Sequence, residues 1–203
     1  MAHQDHGFQL SALSFQLSAF SLQPSAFSLQ FSAFNSQPPI PMDLPTSPFA
    51  DFDEEMRITR RVLERVPGEK GKWKPHEKSF SLGHLAQLVA LMPGWIARSL
   101  NESAIDLGAS PGYTYETTET LLSVFDQNVE AARDALREAT DETLDEPWSL
   151  KRGKQVLLSM PKRAVVRQTI SHLSHHRGQL SVYLRLLDIA VPSIYGPTAD
   201  EKW

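Results

Sequence analysis

Apolar residues recur at helical spacing in four stretches of the chain, and between them the pattern lapses into polar, proline-bearing connections. The first stretch predicts a helix over about 49–66, with Phe52, Met56, Thr59, Val62/Leu63 and Val66 on one face. Acidic residues come early in it and arginines late, as the helix dipole favours, and Pro67-Gly68 stops it. The second runs from a Ser81 N-cap to about Asn101. It is apolar nearly all round from Leu82 to Ile96, which marks it as the most buried element, and Pro93 inside it predicts a kink. The third covers about 115–140, with Leu121, Phe125, Asn128/Val129, Ala132, Leu136 and Ala139 in its stripe. The fourth runs from about Pro161 to Asp188, with Val165, Thr169, His172, His176, Leu180, Tyr183 and Leu187 on one face. Four long amphipathic helices predict an all-α four-helix bundle. The connections are long enough for at least one to cross over. In the last of them Trp148/Leu150 and Val156/Leu158 flank Arg152-Gly153 in the pattern of a short hairpin.

Residues 1–42 follow a different pattern. A seven-residue unit repeats from Phe8, with Ser11, Ser18, Ser25 and Ser32 in the same place, and no charged residue occurs between Gly7 and Met42. Pro24 and the missing charges argue against a coiled coil. The segment reads as a low-complexity tail, disordered or outside the true start, because a tandem nucleotide repeat read as coding gives such periodicity. Met42 or a nearby codon is then the expected beginning, and residues 43–203 the folded domain. Mass spectrometry of the native protein decides this: peptides from residues 8–34 would refute it.

Composition narrows the chemistry. The 203 residues carry a formal net charge of −4, so nothing suggests a basic surface for nucleic acid. No cysteine is present, which excludes disulfides, thiolate metal sites and a cysteine nucleophile. No apolar run is long enough to span a membrane and no signal peptide is evident, so a cytoplasmic protein is expected.

The apolar stripe of the fourth helix is interrupted by His172 and His176, one turn apart. A buried imidazole needs partners for both ring nitrogens. Two such rings can close on one divalent ion at ~2.0–2.1 Å, or they can bond to carboxylates and backbone in a bundle core. Spacing alone leaves both open. A metal site needs a third ligand, and His84, early in the second helix, is the other histidine in a core position. His175 points away from the pair and His76 lies in a polar loop. His172 is followed by Leu173 where a zinc protease helix has its glutamate, so that mechanism is excluded. Arg177 and Arg185 fall on other faces of the helix, and Glu102, Asp106 and Asp200 are candidate bases.

The run His172-Leu-Ser-His-His-Arg-Gly-Gln-Leu-Ser-Val-Tyr-Leu-Arg-Leu-Leu187, followed by Val191-Pro-Ser-Ile-Tyr-Gly-Pro-Thr-Ala-Asp-Glu201, resembles the DinB-like family, as do Trp73-Lys-Pro-His-Glu-Lys-Ser79, the Ser81-Leu-Gly helix start and Trp95. This is the four-helix metalloenzyme family, distinct from the polymerase that shares the name. The resemblance implies an up-down-down-up bundle of the DinB/YfiT type, a homodimer, and a zinc or nickel ion held by three histidines, two of them matching His172 and His176. The position of the third is occupied here by Leu88. His84 lies one turn earlier, turned by about 40° and displaced by roughly 6 Å along the axis. The resemblance also implies a small-molecule substrate, in some relatives a thiol. Two readings follow. One is a metal-dependent hydrolase or thiol-transferase with His172, His176 and His84 as ligands. The other is a metal-free binding or dimerisation module that retains a remnant of the site.

Overall fold

The structure is a computed structural model that describes residues 49, 51–109 and 117–202. All of them lie in the compact unit that begins at Pro45. The low-complexity tail lies outside the described residues.

Four long helices form where the periodicity predicts them. They are α1 (Phe52–Leu63), α2 (Leu82–Asn101), α3 (Thr118–Glu138) and, after the short α4 (Asp141–Asp145), α5 (Lys162–Leu186). Their starts follow from local chemistry. The Ser81 side chain accepts from the His84 amide, Thr117 from that of Thr120, and Thr140 from that of Thr143. Pro161 precedes α5 as its N-cap, one position outside the first turn. Helix α2 runs through Pro93 unbroken. It is the central element, packing on both α3 and α5, while α1 packs on α5 and α3. Leu82, Leu85, Val89, Met92 and Ile96 of α2 are completely buried. Gly94 lets α3 approach: a Cβ there would stand 2.5 Å from the Asn128 Oδ1, and Asn128 Nδ2 donates to the Ala90 carbonyl at 3.0 Å.

The expectation of an all-α fold is corrected. The molecule is mostly helical but carries a small sheet in the order β1-β2-β3. The expected hairpin forms as β2 (Pro147–Arg152) and β3 (Gln155–Pro161), antiparallel, turning through Gly153 at φ +57°. Strand β1 (Ala104–Asp106) adds in parallel to β2, so the chain between them crosses over through α3. Three residues of unpatterned sequence give no strand signal of their own; β1 exists because β2 offers it an edge. The Asp106 carboxylate fixes the join, accepting from the amides of Gly108 at 2.8 Å and Gly153 at 3.1 Å.

Candidate functional site

On α5 the buried side chains are Lys162, Val165, Val166, Thr169, Leu173, His176, Arg177, Leu180 and Leu184. This stripe is rotated from the expected one. Leu173 and Leu184 take the core, His176 is 8% exposed, and His172 is exposed at the stripe's edge. The two imidazoles still meet, with Nε2 to Nε2 at 2.9 Å and ring centroids 4.6 Å apart. Gln179, one turn on, holds the pair. Its Oε1 accepts from His176 Nδ1 at 2.7 Å, and its Nε2 donates to His175 Nε2 at 3.0 Å. With its proton on Nδ1, His176 presents an Nε2 lone pair, which the His172 Nε2–H fills. Desolvation of its inner edge, and the proximity of His176 and then His175, hold the His172 pKa below the ordinary histidine value.

His84 is placed differently. Its ring stacks on Phe80, centroids 4.3 Å apart, and Phe80 in turn lies 6.4 Å from the His176 ring. Burial first, and then the charge of Lys74, lower its pKa. Leu88 is buried on α2 between these groups and Trp95. Residues seven apart share a helix face, and the Trp95 ring lies 6.3 Å from that of His172. The face of α2 bearing Leu88 is thus the one turned to the histidine pair. Among the described residues no three His, Asp or Glu side chains are grouped so as to hold an ion. The pair has the inward Nε2 atoms and the oriented Nδ1–H of a metal site. It lacks a third donor, so the donor set does not fit a three-ligand centre.

His172 also lines a cavity of about 760 Å³ that the sequence did not reveal. Helices α2, α3 and α5 form its walls through Leu91, Trp95, Ala131 and Val165, and the sheet lines it through Ile105, Leu150, Leu158 and Met160. The candidate bases are engaged elsewhere. Asp106, on the cavity wall, accepts the two amides that join the strands, Glu102 pairs with Arg98, and Asp200 pairs with Arg185. Sequence reasoning missed Gln179, whose signal was its spacing of three from His176. It also missed the cavity, for which no local signal exists, because its lining comes from separate elements.

Arg177, next to His176 in the chain, is 1% exposed. It pairs with Glu55 at 2.8 Å and donates to Thr59 Oγ1 at 3.0 Å. It also donates to the hydroxyl of Tyr195, and that hydroxyl donates to Glu55 at 2.7 Å. Ser174 Oγ reaches the same carboxylate at 3.1 Å. The Tyr-Gly-Pro segment is thereby fastened to α1 and α5.

The model of the DinB family matches residues 45–202, most of the chain and every residue that the structure describes. The chain belongs to the DinB family. It is 28% identical over 153 residues to YrdA of Bacillus subtilis (strain 168), a protein described as uncharacterized, covering 75% of this chain and 87% of that protein. Among solved structures it resembles a DinB-like protein of Bacillus cereus (TM-score 0.56, 22% identity, 71% of this chain and 93% of the other). It likewise resembles the DinB-like YjoA of Bacillus subtilis (TM-score 0.57, 21% identity, 75% and 96%). At these identities the two structures speak for the DinB-like fold alone. Among the described residues no helix is long and apolar enough to cross a membrane.

Proposed function

We propose that this DinB-family protein is a small-molecule-binding module in which His172 and His176 are the remnant of a metal site. In this reading the four long helices form the family's up-down-down-up bundle, which the packing of α2 on α3 and α5, with α1 on the far side of both, supports. The observation that carries the reading is Leu88. An apolar side chain occupies the face of α2 turned to the two imidazoles, beside a cavity large enough for a ligand. Two neutral imidazoles bonded to each other hold zinc poorly, whereas the cavity beside them needs no metal to bind an apolar molecule. Val182 and Leu186, one turn apart on α5 and both more than half exposed, support a homodimer.

Calorimetric zinc titration of the untagged protein tests this. Wild type is expected to bind weakly and Leu88→His to bind at least about a hundredfold more tightly, by completing the ligand set. A full equivalent of zinc or nickel held tightly by wild type would overturn it. One observation favours the second reading, a metal-dependent hydrolase or thiol-transferase: the Nε2 atoms converge and Gln179 orients His176 as the outer partner of a metal ligand does. There His172 and His176 would hold the ion, and His84 would have to leave Phe80 to join them. Loss of tight metal binding in His84→Ala is the result that reading requires.

A further inference from the structure

The hairpin leaves one edge of the sheet open. Strand β3 pairs with β2 on one side and with no strand among the described residues on the other. Six of its seven residues are exposed, Val156 at 52%, Leu157 at 39% and Leu158 at 36% among them. An open edge is a row of N–H and C=O groups ready to pair, and proteins ordinarily blunt it with charges, an internal proline or a covering element. Strand β3 carries no Lys, Arg, Asp or Glu, and its proline, Pro161, stands at its very end. One such device is present. The pairing slips from Leu150–Leu158 to Lys151–Val156, so Leu157 forms a one-residue bulge with a residue in register on either side of it.

The two ends of the strand differ in charge. At the turn, Lys151, Arg152 and Lys154 stand against Asp106, whose carboxylate accepts from the Gly153 amide. At the other end Pro161 pairs with Pro147, and Asp141, Glu142, Asp145 and Glu146 stand against Lys162 and Arg163. The turn end is thus net positive and the α4 end net negative. Seven residues of strand hold them about 20 Å apart. A parallel copy would set like charges side by side. An antiparallel copy sets each basic turn against the other's acidic end, twice over, which is the self-complementarity that a twofold interface needs.

We propose that β3 is a self-association edge, on which a second copy of this chain pairs its own β3, antiparallel, about a twofold axis near Leu158. The result is one six-stranded sheet shared by two bundles. In that register Val156 lies opposite the partner's Met160, and Lys154 approaches the end that bears the partner's Glu146. Leu158 also lines the cavity beside His172, so the shared sheet carries a cavity in each copy. A single strand pair buries less than the roughly 1,000 Å² of a lasting interface, so the association is expected to be reversible. The inference does not rest on the small-molecule reading. It is also distinct from the homodimer supported by Val182 and Leu186, which lie roughly 30 Å or more along α5 from the end of β3.

The test follows the full chain by sedimentation equilibrium and by amide hydrogen exchange over a range of protein concentrations. The β3 amides are expected to gain protection only as the dimer forms. Val156→Lys, at an exposed position that leaves the monomer's melting temperature unchanged, should weaken dimerisation at least about tenfold and remove that protection. Reversing the turn with Arg152→Glu and Lys154→Glu should weaken it severalfold at low salt, and added salt should weaken the wild-type dimer. Because the chain has no cysteine, an introduced one reports its own neighbour alone. Leu158→Cys should cross-link through a short bifunctional maleimide, whereas Lys154→Cys should not, its two copies lying about 26 Å apart in this register.

A chain that stays monomeric at every concentration overturns the proposal, and so does protection of β3 in the monomer, which would assign the edge to another part of the same chain. A dimer that survives Val156→Lys but is lost in Val182→Glu belongs to α5 instead. Cross-linking at Lys154→Cys in place of Leu158→Cys, or indifference to the reversed turn, would refute the antiparallel register set by charge and the proposal with it.

Discussion

At the scale of single residues, the balance of the site turns on side chains that the stripe pattern treats alike. His172 and His176 are one turn apart in sequence, yet one is exposed at the cavity and the other buried. Arg177 is more buried than either and owes its place to Glu55, Thr59 and Tyr195. Removing one partner of such a pair strands the other. Arg177→Ala is expected to cost about 3–5 kcal/mol in denaturant unfolding, and Arg177→Met distinctly less if Glu55 can turn to water. Tyr195→Phe removes only a hydroxyl and should cost about 1 kcal/mol. Equal losses in Arg177→Ala and Tyr195→Phe would mean that the charge is not what the cluster holds. The histidine pair was legible because imidazoles are rare on a buried stripe. Gln179 and Glu55 were not, since a glutamine and a glutamate at helix positions are unremarkable until the neighbouring helix is in place.

At the scale of elements, the helices obey their sequence closely and the sheet does so only in part. Ser81, Thr117 and Thr140 cap where hydroxyl residues precede apolar periodicity. The hairpin was visible in its alternation and in Gly153. Strand β1 was not, because its pairing depends on a distant edge. The α2–α3 contact makes its own prediction. A methyl group at position 94 collides with the Asn128 side chain, which must move and lose its bond to the Ala90 carbonyl. Gly94→Ala should destabilise by about 1–3 kcal/mol in thermal or denaturant unfolding, despite the better helix propensity of alanine. Gly94→Ala combined with Asn128→Ala should recover much of the loss. If the double variant is simply additive, the collision is not the cause.

At the scale of the whole molecule, the C-terminal segment ties the bundle together through carboxylates. Glu201 accepts from the Ser193 amide and pairs with Arg61, while Asp200 pairs with Arg185 and accepts from the Val191 amide. The backbone amide first and the arginine next hold the Glu201 pKa below the carboxylate norm; for Asp200 the arginine leads. A depressed carboxylate contributes stability that is complete above its ordinary pKa and is lost as pH falls through the lowered folded value. The segment after Asp188 should therefore loosen under mild acid before the helices melt. Digestion by an acid-stable protease should find its cleavage sites there first as pH drops below about 4. Cleavage that begins in the loop at 71–79 instead would refute the order.

The sequence by itself determined the four long helices, the Ser81 cap, the hairpin and membership of the DinB family, because each is written in local periodicity, turn chemistry or a contiguous motif; the Thr117 and Thr140 caps and the short α4 between them were not foreseen. It also placed two imidazoles one turn apart, and Leu88 where the resemblance implies a third histidine. Only the tertiary structure decided that the α2 face shared by Leu88 and Trp95 turns to His172, that His84 lies against Phe80, and that His172 lines a cavity also lined by the sheet. The reason is physical. Those facts depend on the rotation of one helix against another and on a strand recruited across the chain. Both are fixed by packing between residues far apart in sequence, and no local pattern records them.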